Sequence, residues 1–193
     1  MARLTSTFLL AIALLVGCQG ENGAAIERGQ LAAAVLQPQD FPQDWIRFDE
    51  GPQGQLDRAT GNRADDARFG RLEGWKARYR KPGPAATNGP LVIESRADRF
   101  DESGGAEKEI AAIRVAPPLG DLVPDSHQVG EETVLSTILQ GTGAAKIRFW
   151  FIAWRQANVA ASVVVSGFDS KFNFTDAVTL ARKQERRIAG LIG

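Results

Sequence analysis

The chain has 193 residues, with 23 Lys and Arg against 23 Asp and Glu, one His and one Cys. That length suits one domain with enough chain for a real core, and the even charge balance offers no broad field to nucleic acid or anionic lipid. One cysteine excludes a disulfide framework, and with one histidine beside it only carboxylates remain as metal ligands, which excludes an ordinary zinc centre.

The first residues form an export signal. Arg3 supplies a positive start, and the ten residues from Thr7 to Val16 carry no charge and are mostly apolar. Such a run has the length of a signal-peptide core and is too short to cross ~30 Å of hydrocarbon. Leu15-Val16-Gly17-Cys18 follows and is similar to the lipobox of bacterial lipoproteins. The resemblance implies cleavage after the small Gly17 and transfer of diacylglycerol to the Cys18 thiol, with each buried CH₂ contributing ~0.8 kcal/mol of membrane affinity. Cys18 is the only cysteine, and an unpaired thiol in an exported chain otherwise calls for explanation. The expected organisation is a signal peptide at 1–17, a lipidated tether at 18–25 and one globular domain at 26–193. Gln19 is not the Asp that retains some lipoproteins at the inner membrane, so the expected location is the extracytoplasmic face of the cell membrane or the outer membrane.

The domain opens with an Ala-rich stretch, Ile26 to Leu36, expected to be a short helix that Pro38 stops. Asp40-Phe41-Pro42-Gln43-Asp44-Trp45 reads as an extended strap whose rings plug the edge of the core. Gly51 to Gly70 reads as a long loop. From Gly74 to Lys81 the pattern alternates strictly, Trp75, Ala77 and Tyr79 against Lys76, Arg78 and Arg80, the mark of a half-buried strand. Leu91 to Phe100 is the next strand, with Ile93, Ser95 and Ala97 inward and Glu94, Arg96 and Asp98 outward, placed to pair across the ladder with the basic face of the strand before. In Asp101 to Val115 the period changes. Ala106, Ile110 and Ile113 make one helical stripe, ended by Pro117-Pro118. Three strands follow at Thr133–Gln140, Lys146–Arg155 and Val159–Ser166. The middle one is bulky on both faces, as a central strand is. Phe174 to Ile192 is a closing helix with Thr175 as its cap and cations in its later half. The expected fold is α+β, order β-β-α-β-β-β-α: a single antiparallel sheet of about five strands with two helices packed on one face.

This order resembles the PsbP/Mog1-like domains of extracytoplasmic lipoproteins. The segments that carry the resemblance are Leu36 to Trp45, Val129 to Glu132, the hairpin Ile147 to Val165 and the helix Asp176 to Ile188. Gln156-Ala157-Asn158 departs from it, where a Gly would make a tighter hairpin. The resemblance implies a binding or accessory module without chemistry of its own.

No catalytic constellation is legible. Asp125-Ser126-His127 brings three triad residue types together in sequence, but neighbours in a loop point apart, and a triad must converge in space. Glu131 and Glu132 lie side by side and so face opposite sides of a strand. Gly141-Thr142-Gly143-Ala144-Ala145-Lys146 lacks phosphate-loop spacing and leads into a strand. The expectation is therefore no enzyme, no cofactor and no metal. Two surfaces remain. Trp150, Ile152 and Trp154 share one strand face, a possible face for a lipid, a hydrophobic ligand or a partner if left open. Arg71, Lys76, Arg78 and Arg80, with Arg58, Arg63 and Arg68 before them, form a patch suited to an anionic partner. The expected partners are the membrane, through acylated Cys18, and an envelope protein or lipid.

Overall fold

Alternating apolar and polar side chains from Arg71 onward need neighbours on both sides and cover on at least one face. The computed structural model, which describes residues 25–53, 69–83, 88–124 and 127–192, shows how both needs are met. Among the described residues the α-helices and strands follow in the order α1 (Leu31–Ala34), β1 (Ile46–Pro52), β2 (Arg71–Arg80), β3 (Val92–Phe100), α2 (Ser103–Val115), β4 (Asp121–Leu122), β5 (Glu132–Gln140), β6 (Ile147–Gln156), β7 (Val159–Phe168) and α3 (Phe174–Ala189). The strands form one sheet in the order β1-β2-β3-β7-β6-β5-β4. Every neighbouring pair is antiparallel.

The α+β class and the single antiparallel sheet agree with the sequence reading; the strand count and the helix placement do not. The sheet has seven strands where five were expected. The two additions are its edges. β1 is charged, exposed and bulged between Arg47 and Asp49. An edge strand pairs on one side only, and the bulge breaks its alternation, so it leaves no clean period of two. β4 has two residues, too few for any pattern.

The two long helices do not share a face. α3 lies over Tyr79, Ile93, Ala97, Ile152, Trp154 and Val163. α2 lies on the opposite side, over Phe100, Val134, Phe151, Ala153 and Ala160. The cause is visible in β6. Phe151 and Ala153 point one way, Ile152 and Trp154 the other, and both pairs are buried. Two apolar faces need two covers, since burying one such large side chain contributes roughly 1.5–3 kcal/mol.

The N-terminal stretch is helical only over Leu31–Ala34. Before it the chain turns at Arg28–Gly29, and after it Val35 and Gln37 are extended; together these residues form a strap on the α3 face, tied by side chains. Ile26 N–H donates to Asn158 Oδ1 at 2.9 Å, and Asn158 Nδ2 donates to the carbonyls of Ile26 at 3.3 Å and Phe100 at 3.1 Å. This explains the missing hairpin glycine. Ala157 takes the left-handed backbone (φ 51°), and Asn158 is needed for its amide. Further along, Leu36 N–H donates to Ser95 Oγ at 2.9 Å, and Tyr79 Oη donates to the Leu36 carbonyl at 2.7 Å. Ser95 Oγ in turn donates to Gln184 Oε1 at 2.7 Å, and Gln184 Nε2 to the Arg96 carbonyl at 2.8 Å. A buried backbone crossing a sheet outside its ladder must find such partners. Burial pushes the Tyr79 phenol up to about 12, so it stays a neutral donor.

Candidate functional site

Past Leu36 the strap turns outward and roofs a cleft. Pro38 opens a short 3-10 turn, Pro38–Asp40, in which Gln37 and Asp40 cap one another. α3 then holds the turn in place. Arg187 grips the Asp40 carboxylate with two donors, Nε at 2.6 Å and Nη2 at 3.0 Å. Lys183 Nζ donates to the Asp40 carbonyl at 2.7 Å. Such a forked guanidinium–carboxylate pair is stronger than a single contact and fixes orientation. Phe41 follows, its ring 4.4 Å from Tyr79 and 5.3 Å from Trp45, centre to centre.

The opposite wall is a stripe of α3. Asp176, Thr179, Leu180 and Lys183 fall at i, i+3, i+4 and i+7, which places them on one helix face. Between this stripe and Phe41, Pro42 and Trp45 lies a cavity of about 210 Å³, floored by Pro90 and Ile93. It is smaller than the ~300–1,000 Å³ of drug-sized pockets. Its volume matches a small molecule, or one group of a larger one. Its floor and roof are apolar and aromatic, and its rim carries Asp176 at one end and Lys183 at the other. Asp176 is partly committed, because its carboxylate accepts from Asn173 N–H at 3.3 Å. The Asn173 side chain accepts in return from Asp176 N–H at 3.0 Å. Asn173, not Thr175, is therefore the cap of α3. Its side chain reaches the third helical residue, while Thr175 already lies inside the first turn.

The face proposed around Trp150 is closed. Ile152 and Trp154 are 0% exposed beneath α3. Trp150 is half-buried, its ring 4.7 Å from that of Phe174. No open groove runs along these three residues, because α3 packs on this face.

The basic patch is largely spent inside the sheet. Arg71 pairs with Asp98, and Arg78 with Glu94. β1 brings Asp49 to Lys76 at 3.1 Å and to Arg78 at 3.3 Å. Arg80 lies over the Phe48 ring, 5.9 Å from its centre. The Arg78–Glu94 pair follows from the ladder, where the two are register partners, as the sequence pattern implied; Asp98 stands opposite Gly74 and pairs instead with Arg71, from before the expected strand. Asp49 was hidden because β1 was. Arg58, Arg63 and Arg68 lie outside the described residues.

His127 is exposed and meets Phe174 edge-on at 5.4 Å, while Asp125 and Ser126 lie outside the described residues. Among the described residues no three His, Cys, Asp or Glu side chains gather as metal ligands, and no helix is long and apolar enough to cross a membrane. Cys18, with its lipobox and signal peptide, also lies outside the described residues.

Sequence reasoning placed the Phe41 and Trp45 rings against the core, where they lie, but expected an extended segment where the chain makes a 3-10 turn and a second turn at Gln43–Asp44, and it missed the cleft. The signal available was the mixed stripe Asp176-Thr179-Leu180-Lys183, polar residues interrupting what an ordinary core-facing stripe keeps apolar. No protein-family model and no curated protein matches the chain. Among solved structures it is similar to the extracellular domain of PknH from Mycobacterium tuberculosis, with a TM-score of 0.59 and 11% identity, over 86% of this chain and 98% of that one. At that identity the likeness is one of fold.

Proposed function

We propose that this chain is an extracytoplasmic lipoprotein, held on the membrane through acylated Cys18, whose domain is a non-enzymatic binding module of the cell envelope. The observation that carries the binding reading is the cleft between the strap and α3: lined by aromatic and apolar side chains, with two acids, Asp40 and Asp176, and one base, Lys183. Support for the location comes from the lipobox with its single cysteine. A fold shared with a domain described as extracellular agrees with it. The PsbP/Mog1-like resemblance points to the same class of module, on element order alone.

A second reading, a carrier of lipid or another hydrophobic ligand, moves from the Trp150 face to this cleft. The cleft's size favours a small amphipathic molecule over a whole acyl chain. The test is native mass spectrometry of the domain from Gln19 onward, purified from its own envelope. A small bound mass that disappears with Trp45→Ala supports ligand binding at the cleft. A bare mass in both forms moves the module to a protein partner. The anchor is tested separately with Cys18→Ala, which should accumulate as unprocessed precursor without diacylglycerol; normal lipidation of that variant would refute it.

A further inference from the structure

We infer that the anchored domain stands on the membrane by the end of its sheet that carries the β6–β7 turn, and presents the cleft away from the bilayer. The inference rests on the lipid-anchor reading. Its geometry comes from where the tether leaves the domain. Ile26 is 1% exposed, and both its backbone polar groups are bound to Asn158 in the β6–β7 turn. The same amide holds Phe100, the last residue of β3. The tether therefore has a fixed origin at this end of the strands.

The cleft lies at the other end. Its floor, Pro90 and Ile93, sits just before and inside the start of β3, and its roof residue Trp45 immediately precedes β1. Ile93 is the register partner of Val165, seven residues along the chain from Asn158, which in a strand is about 23 Å.

Only seven residues, Gln19 to Ala25, separate the acylated cysteine from Ile26. The eight residue steps between the two span at most about 28 Å. Placing the cleft end against the bilayer would use about 23 Å of that reach merely to run back along the sheet. With the β6–β7 end down, none of it is spent in this way. Whatever fills the cleft therefore arrives from the aqueous side of the envelope.

The experiment uses the full-length acylated protein in vesicles of phosphatidylethanolamine and phosphatidylglycerol. Acylation consumes the only native cysteine, so a single introduced cysteine takes a dye uniquely. Glu102→Cys reports the tether end, just past Phe100, and Thr142→Cys reports the β5–β6 turn at the opposite end; both positions are exposed. Energy transfer to acceptor-labelled headgroups should be strong from position 102 and weak from position 142. Inserting about eight Gly/Ser residues after Gln19 should narrow the gap, because the longer chain relaxes the constraint. Equal transfer from both positions, or the reverse order, in protein that floats with the vesicles would overturn the orientation and leave the anchor standing. Protein that does not float would overturn the anchor and the orientation with it.

Discussion

Replacing Asn158 with Ala should cost about 3 kcal/mol of stability, and the figure follows from what the amide holds. Asn158 is 5% exposed and satisfies three backbone groups, the N–H and C=O of Ile26 and the C=O of Phe100. If the strap stays in place without the amide, three buried groups lose their partner. Each such loss costs about 1–3 kcal/mol, so three at the low end of that range give about 3 kcal/mol. If the start of the strap peels away, water satisfies those groups, but the burial of Ile26 is lost, at roughly 1.5–3 kcal/mol, together with the contacts of its neighbours. Both routes lead to a similar sum. Urea unfolding of the domain from Gln19 onward measures it, and hydrogen exchange at Ile26 separates the routes, because only peeling makes that amide exchange fast. Asn158→Asp sharpens the case. It keeps the acceptor for Ile26 N–H, loses both donors and sets a carboxylate against two carbonyls, so its cost should equal or exceed that of Ala. A loss below about 1 kcal/mol for Asn158→Ala would refute the strap as a fixed part of the fold.

Two further predictions use other single features of the chain. Gly130 has φ +64°, and a Cβ there would lie 2.5 Å from the Arg155 carbonyl and 2.7 Å from the Trp154 ring, whereas Gly29, at φ +85°, would meet nothing within 4 Å. Gly29→Ala should cost only the left-handed backbone, about 1 kcal/mol, and Gly130→Ala clearly more; equal losses in thermal denaturation would show that Trp154 is not packed as described. Tyr79 is the only tyrosine, so phenolate absorbance reports it alone. It should titrate near 12 in the folded protein and near 10 in urea. Because the folded value is the higher one, its contribution to stability is whole below pH 10 and is lost as the pH rises towards 12; a folded midpoint near 10 would mean that the phenol is exposed.

The five inner strands and both long helices were legible because each has a face that must be covered. Trp75-Ala77-Tyr79 and Ile93-Ser95-Ala97 keep their period of two against the helix that covers them. Ala106, Ile110 and Ile113 keep the helical period for the same reason. β1 was not legible because Ile46 and Phe48 are exposed and Arg47, Asp49 and Glu50 make ion pairs with side chains at the surface. Nothing apolar dictates its register. The faces taken by the helices were not legible either. β6 announced two apolar faces, but no local pattern in α2 or α3 tells which face each one covers. That choice lies in the connections: α2 follows β3 directly, and α3 follows β7. The cleft escaped for a different reason. Its walls come from residues 40–45 and 176–183, and each half alone reads as ordinary surface.

The same long-range contacts tie the cleft to the helix that walls it. Its roof is not a free loop, because Asp40 is held by Arg187 and Lys183 of α3. Lys183 also lines the cleft, and its ammonium, which gives one N–H to the Asp40 carbonyl, has two more to offer there. The Arg187 fork holds Asp40 a second time, from outside the cleft lining. The start of the strap is held independently, since none of the hydrogen bonds of the Ile26–Asn158 clamp involves the cleft. The two ends of the strap are thus fixed by separate sets of contacts, one to α3 and the other to the β6–β7 turn, and a change at one end need not reach the other.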